Sequence, residues 1–173
     1  MSYLSEILGG GRESTPHRRL YGAALAIARD PAWYREGGVA DTLDGRFDML
    51  AAMLSLIIMR LENMGDEGKG DAARLTEAFV EDMDAQLRQM GVGDLVVGKK
   101  VAKMVSALGG RLGAYREALE GEGELEEALL RNLYRGDSPP PEALAWTARG
   151  LRARHQGLAV MPRAALLEGR LDR

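Results

Sequence analysis

A chain of 173 residues, 46% hydrophobic and 28% charged, has the balance of a soluble globular protein and the length of one domain with a real core. It contains no cysteine, which excludes disulfides, thiol catalysis and zinc–thiolate sites and suits a reducing compartment. A net charge of −3 is too small to mark the whole molecule as a polyanion binder, and the longest apolar stretch, Met49 to Met59, falls short of the ~20 residues a membrane span needs.

The pattern along the chain is helical almost throughout. Residues 1–14, with Gly9-Gly10-Gly11, read as a flexible leader, and Glu6 and Glu13 make it a poor secretory signal. Thr15 followed by Pro16 is a helix start, with Leu20, Ala24, Ile27 and Ala28 as the apolar stripe. Asp30-Pro31 opens a short helix carrying Trp33 and Tyr34, which Gly37-Gly38 closes. Thr42 to Met64 is the expected central helix. Phe47, Leu50, Leu54, Ile57, Ile58 and Leu61 share one face, and Met49, Met53 and Met59 widen it until other helices should nearly surround it.

Gly65 is expected to stop that helix, with Asp66 to Gly70 as a polar loop and Asp71 to Met90 as the next helix. Gly91 then ends a helix in the left-handed region, Gly93 lets the chain double back, and Asp94 caps a helix through Val97, Val101, Met104, Val105 and Leu108 that Gly109-Gly110 terminates. Leu112, Tyr115 and Leu119 mark another helix and Glu124 to Tyr134 one more. Ser138-Pro139-Pro140-Pro141 is a linker to a last helix, Glu142 to His155, and a short basic tail. The expected fold is all-α: about six to eight helices, a helical domain over residues 15–136, and a C-terminal extension, 137–173, packing on that domain.

Chemistry has few footholds. Gly93 to Lys99 fits the spacing G-x-x-x-x-G-K of a phosphate loop, but such a loop follows a buried strand and continues with Ser or Thr. Here a helical pattern precedes it and Lys100 stands in the hydroxyl position, so the segment reads as a helix–Gly-x-Gly–helix corner with Lys99 and Lys103 on one face. The two histidines, His17 and His155, have no ligand at helical spacing, and Asp84 with Arg88 is an i,i+4 pair of the kind that is usually structural. These residues give no catalytic set, no metal site and no cofactor. Nine methionines point first to packing and second to an adaptable apolar binding surface. Charge is unevenly spread. Glu62 to Asp84 carries eight acids against two cations, and Glu142 to Arg173 carries six arginines against three acids, so the tail is a candidate for facing RNA or anionic lipid. Arginine outnumbers lysine nineteen to four, in keeping with a GC-rich bacterial genome.

Several of these residues together resemble a family. Asp41-Thr42 followed by Gly45-Arg46-Phe47, then Asp82-x-Asp84, Leu87-Arg88-x-Met90-Gly91-Val92-Gly93-Asp94 and Gly98-Lys99-Lys100 are similar to motifs of the ubiquinol–cytochrome c chaperones, with Arg111 and Tyr115 echoing a further Gly-Arg-x-x-x-Tyr element. The similarity spans about Leu20 to Leu119. Gln89 departs from an expected Glu, and Leu108-Gly109 from an expected aromatic pair. The resemblance implies an all-α, non-enzymatic assembly factor of the cytochrome bc1 complex. Its client would be newly made cytochrome b, received near the ribosome with a small partner subunit, at the cytoplasmic face of the inner membrane. It also implies client or partner contact at Asp44, Arg46, Arg88, Asp94, Lys99 and Lys100. Structural alternatives stand beside four of them: Asp44 and Arg46 as fixing the start of the central helix, Asp94 as a cap, and Arg46 and Arg88 as buried partners of Asp82 or Asp84. Two rival readings predict different behaviour. A nucleic-acid or ribosome-binding module would depend on the basic C-terminal tail, and a nucleotide enzyme on the Gly93 to Lys100 loop.

Overall fold

Thr15 opens the first helix as its sequence requires: its hydroxyl accepts from the Arg18 N–H at 3.3 Å, and Pro16 takes the first position. From there the computed structural model describes residues 15–171, so the expected leader lies outside the described residues. Among them are eight helices and no strand, the all-α class. They are α1 (Pro16–Ala28), α2 (Pro31–Arg35), α3 (Leu43–Glu62), α4 (Gly65–Gln89), α5 (Asp94–Glu120), α6 (Leu125–Asn132), α7 (Pro141–Ala159) and α8 (Arg163–Leu167).

α3 is the axis of the molecule. Every residue from Asp48 to Met59 is buried, because α1, α4, α5 and α7 pack around it. A helix apolar on all sides finds its minimum in such a position. Thr42 caps it, accepting from the Gly45 N–H at 3.1 Å. α6 bridges α5 and α7, α8 returns to α1, and Trp33 meets Trp146 edge to face at 5.3 Å, tying α2 to α7.

Three expectations about boundaries are corrected. Residues 66–70 are helical, the first turns of α4. The link from α3 is only Asn63 and Met64, with Gly65 at φ +80°. Asp66 and Glu67 complement the N-terminal dipole, and Gly68 packs so close to the Leu61 carbonyl that a Cβ would lie 1.9 Å from its oxygen. Gly109-Gly110 does not end a helix: α5 runs through both, anchored by buried Leu108 and Tyr115 on either side. Each glycine costs about 1 kcal/mol relative to Ala, and tertiary packing outweighs it. The last helix continues to Ala159, and α8 occupies what was read as tail.

Gly45 gives a direct test of the α2–α3 connection. A Cβ there would sit 1.9 Å from the Ala40 carbonyl oxygen and 2.9 Å from its carbon, and backbone cannot swing aside as a side-chain end can. Gly45→Ala is expected to cost about 2 kcal/mol and lower the thermal midpoint by about 6 °C. A melt followed by circular dichroism that leaves the midpoint unchanged would show that residues 40–42 yield freely.

Candidate functional site

A groove of about 1200 Å³ lies between α1, the N-terminal turns of α3, the C-terminal half of α4 and the middle of α5. Its apolar surface comes from Leu25, Phe47, Leu50, Met83, Leu87 and Met104. Leu50, Met83 and Leu87 are buried in its floor, and Leu25, Phe47 and Met104 are half-buried on the apolar stripes of their helices. Phe47 and Phe79 pack at 6.2 Å between centroids beneath it. Two apolar side chains at its edge, Leu43 and Met90, are 71% and 63% exposed.

Charges frame this surface. The exposed cations are Arg29, Arg35, Arg46, Lys103 and Arg135, and the acids are Asp41 and Asp44. Both acids are already paired: Arg46 Nε donates to Asp41 at 2.7 Å and Arg135 to Asp44 at 2.9 Å. The Arg46 hydrogen bond holds the Asp41 carboxyl below the usual carboxylate range. Among the described residues Arg35 has one acidic partner, Glu36 at 3.5 Å. The rim therefore carries surplus positive charge.

One end of the groove rests on a buried carboxylate. Asp48, with no exposed surface, accepts from Arg111 at 2.6 Å and from Arg135 Nε at 2.5 Å. Arg111 also donates to the carbonyls of Asn132 and Ala107, both at 3.2 Å, and lies 5.6 Å from the Phe47 ring centre in a cation–π contact. Arg135 reaches inward because its backbone turns back after α6 in the left-handed region, φ +54°, followed by Gly136 at +89°. This cluster joins α3, α5 and the segment after α6, and it sets where Asp44 and Phe47 stand.

The six residues singled out by resemblance separate into two places. Asp44 and Arg46 line the groove. Arg88, Asp94, Lys99 and Lys100 lie at the α4–α5 corner, outside its lining. There Arg88 Nε donates to Asp84 at 2.6 Å and its other arm to Asp94, so one guanidinium clamps the end of α4 to the start of α5. Gly91 takes φ +79°, as a reversal at the end of α4 demands. Gly93, at φ −66°, is the N-cap of α5; Asp94 is its first residue and makes no cap, because its carboxylate is spent on Arg88. The alternative of buried pairing with Asp82 or Asp84 is corrected too. Arg46 pairs with Asp41, the Arg88–Asp84 pair is exposed, and Asp82 accepts from the Tyr21 hydroxyl at 2.6 Å.

Sequence reasoning missed Asp48 and Arg135. A signal for Asp48 was present: it stands one turn after Asp44, inside an otherwise apolar run, where a carboxylate needs cations from elsewhere. The basic C-terminal segment also differs from expectation. Arg152 makes a two-pronged bond to Glu126 at 2.7 and 2.9 Å, Arg154 donates to the Leu171 carbonyl at 3.2 Å, Arg163 meets Asp71 at 2.5 Å, and Arg170 meets Glu168 at 2.5 Å. Most of its charge is committed inside the chain. Among the described residues no cluster of His, Asp or Glu has metal-binding geometry, and no helix is long and apolar enough to cross a membrane.

The chain is similar in fold to a solved protein, the Cbp3 homolog from Brucella abortus: TM-score 0.76 and 26% identity over 96% of this chain and 93% of that one. No curated protein gives a match. The family model described as Ubiquinol-cytochrome C chaperone matches residues 35–173, which include Asp48, Arg135, the α4–α5 corner and three walls of the groove. The chain thus belongs to the ubiquinol-cytochrome C chaperone family.

Proposed function

We propose that the protein is a non-enzymatic assembly chaperone for the cytochrome bc1 complex, and that it holds newly made cytochrome b in the groove between α1, α3, α4 and α5. The reading draws its function from the family and its site from one observation: an open apolar groove with a rim of surplus cations. Methionine adapts to irregular apolar partners, and Met83, Met90 and Met104 line this surface. A greasy client helix lying in the groove would be shielded until it packs and binds haem. The cationic rim favours a client segment flanked by acids or lipid phosphate. Asp44 and Arg46 act at the rim; Arg88 and Asp94 hold the corner that positions the α4 and α5 walls. The work is done on the cytoplasmic face of the inner membrane, where the client is inserted. This groove reading requires neither the ribosome nor a small partner subunit.

Deleting the gene should remove the bc1 haem b signal from membrane spectra, and the intact gene should restore it. Met104→Glu places a carboxylate against the client's apolar face at a half-buried position. Client retention should fall by at least roughly tenfold in a pull-down, with circular dichroism unchanged. Full restoration of haem b by this variant would remove the groove from the mechanism. Normal bc1 content in the deletion strain would remove the function.

A further inference from the structure

The α4–α5 corner carries a second surface, which adjoins the groove at Met90 and Lys103. Leu95 is 92% exposed and Val96 46%, and Met90 at 63% stands just across the turn. A leucine that touches almost nothing of its own chain in the first turn of a 27-residue helix has no packing role there. Immediately beyond it come Lys99, Lys100 and Lys103, all exposed. In helical spacing Val96 neighbours Lys99 and Lys100, and Lys103 follows one turn on. Three of the four lysines in a chain with nineteen arginines fall on this one helical stretch.

Their charges are also free. Among the described residues no carboxylate lies within 4.0 Å of any of the three, whereas the fourth lysine, Lys69, has Asp66 at 3.5 Å. The two acids of the corner, Asp84 and Asp94, are both held by Arg88. The C-terminal arginines, by contrast, are mostly paired internally.

We propose that this corner docks on an anionic lipid bilayer, with Leu95, Val96 and Met90 entering the headgroup–acyl boundary and Lys99, Lys100 and Lys103 meeting the phosphates. A row of aliphatic side chains followed by a row of ammonium groups is the profile of an interfacial helix end. Lysine suits that partner. It is a flexible point charge that needs no fixed fork of acceptors, and a fluid lipid surface offers diffuse charge. A protein partner would have to supply a fitted pocket for each protruding side chain; a bilayer takes them without one. Lys103 and Met90 also line the groove, so a corner seated on the membrane opens the groove beside the surface from which a membrane-inserted client arrives.

The test uses the full chain and lipid vesicles alone, so its outcome does not depend on the groove being the client site. The protein should sediment with vesicles containing phosphatidylglycerol, bind neutral phosphatidylcholine vesicles far less, and release as salt rises. The triple change Lys99→Gln, Lys100→Gln, Lys103→Gln should lower partitioning roughly 100-fold, about fivefold per lysine. Because all three side chains are exposed, the melting curve should not move. In Leu95→Trp, emission should shift to the blue and be quenched by brominated acyl chains only with anionic vesicles. No binding of the full chain to anionic vesicles would overturn the proposal. So would binding that survives the triple change, which would assign the contact to the arginine-rich C-terminal helices. An unquenched Leu95→Trp on bound vesicles would make the corner a protein surface.

Discussion

Asp48→Ala is expected to be among the most damaging single changes in this protein, lowering stability by about 4 kcal/mol and the thermal midpoint by about 12 °C. The argument rests on what the change leaves behind. Asp48 is fully buried and is the shared acceptor of Arg111 and Arg135. Arg111 is only 14% exposed and its other bonds go to neutral carbonyls, so removing Asp48 leaves a guanidinium inside the molecule without a counter-charge. Arg135 is 45% exposed and keeps Asp44, so it turns to solvent at little cost. The two arginine variants should therefore differ: Arg111→Ala should approach the Asp48 loss, and Arg135→Ala should cost about 1 kcal/mol. Asp48→Asn, which keeps an acceptor but not the charge, should fall between. Melts of the four variants decide the matter. An Asp48→Ala loss below about 1 kcal/mol would mean that water reaches Arg111 and that the cluster does not brace the groove.

The cluster also marks where reading a sequence stops. Helix starts at Thr15 and Thr42, the left-handed Gly91 and the all-round burial of α3 were legible, because each depends on residues within one or two turns of each other. Residues 66–70 read as a loop because Gly65, Gly68 and Gly70 with the charged Asp66, Glu67 and Lys69 suit a loop locally. What makes them helical is a close approach to Leu61 and a partner for Asp71 ninety-two residues away. The Gly109-Gly110 pair deceived in the same way: local preference argued for an end, and packing on α3, α4 and α6 carried the helix through. In the site, Asp44 and Arg46 were reached by motif and line the groove, whereas Arg135 had no local signal at all. Its inward reach depends on a backbone reversal after α6 and on a carboxylate eighty-seven positions earlier.

Asp71→Asn should destabilise the protein at neutral pH and lose its effect in acid. Asp71 is buried where α1, α4 and α8 meet. Arg163 Nε donates to it at 2.5 Å, His17 Nε2 lies at 2.9 Å and Arg74 at 3.9 Å, while Glu67 shares Arg163 at 3.5 Å. Burial alone would raise its pKa, but the hydrogen bonds from Arg163 and His17, reinforced by the Arg163 charge, bring it below the ordinary carboxylate value. The sign follows. A carboxyl depressed in the folded state takes up its proton first in the unfolded chain, so folding gains stability above the unfolded pKa of about 4 and loses it as pH falls through the folded value. The gap in thermal midpoint between the natural chain and Asp71→Asn should be open at pH 7, still open at pH 5, and close progressively below about pH 4. Because α8 reaches the rest of the molecule partly through this carboxylate, proteolysis near Arg163 should quicken in the variant at pH 7 and in the natural chain only in acid. A gap that stays constant down to pH 3 would show that packing of Leu166 and Leu171, rather than the charge on Asp71, holds the C-terminal helix in place.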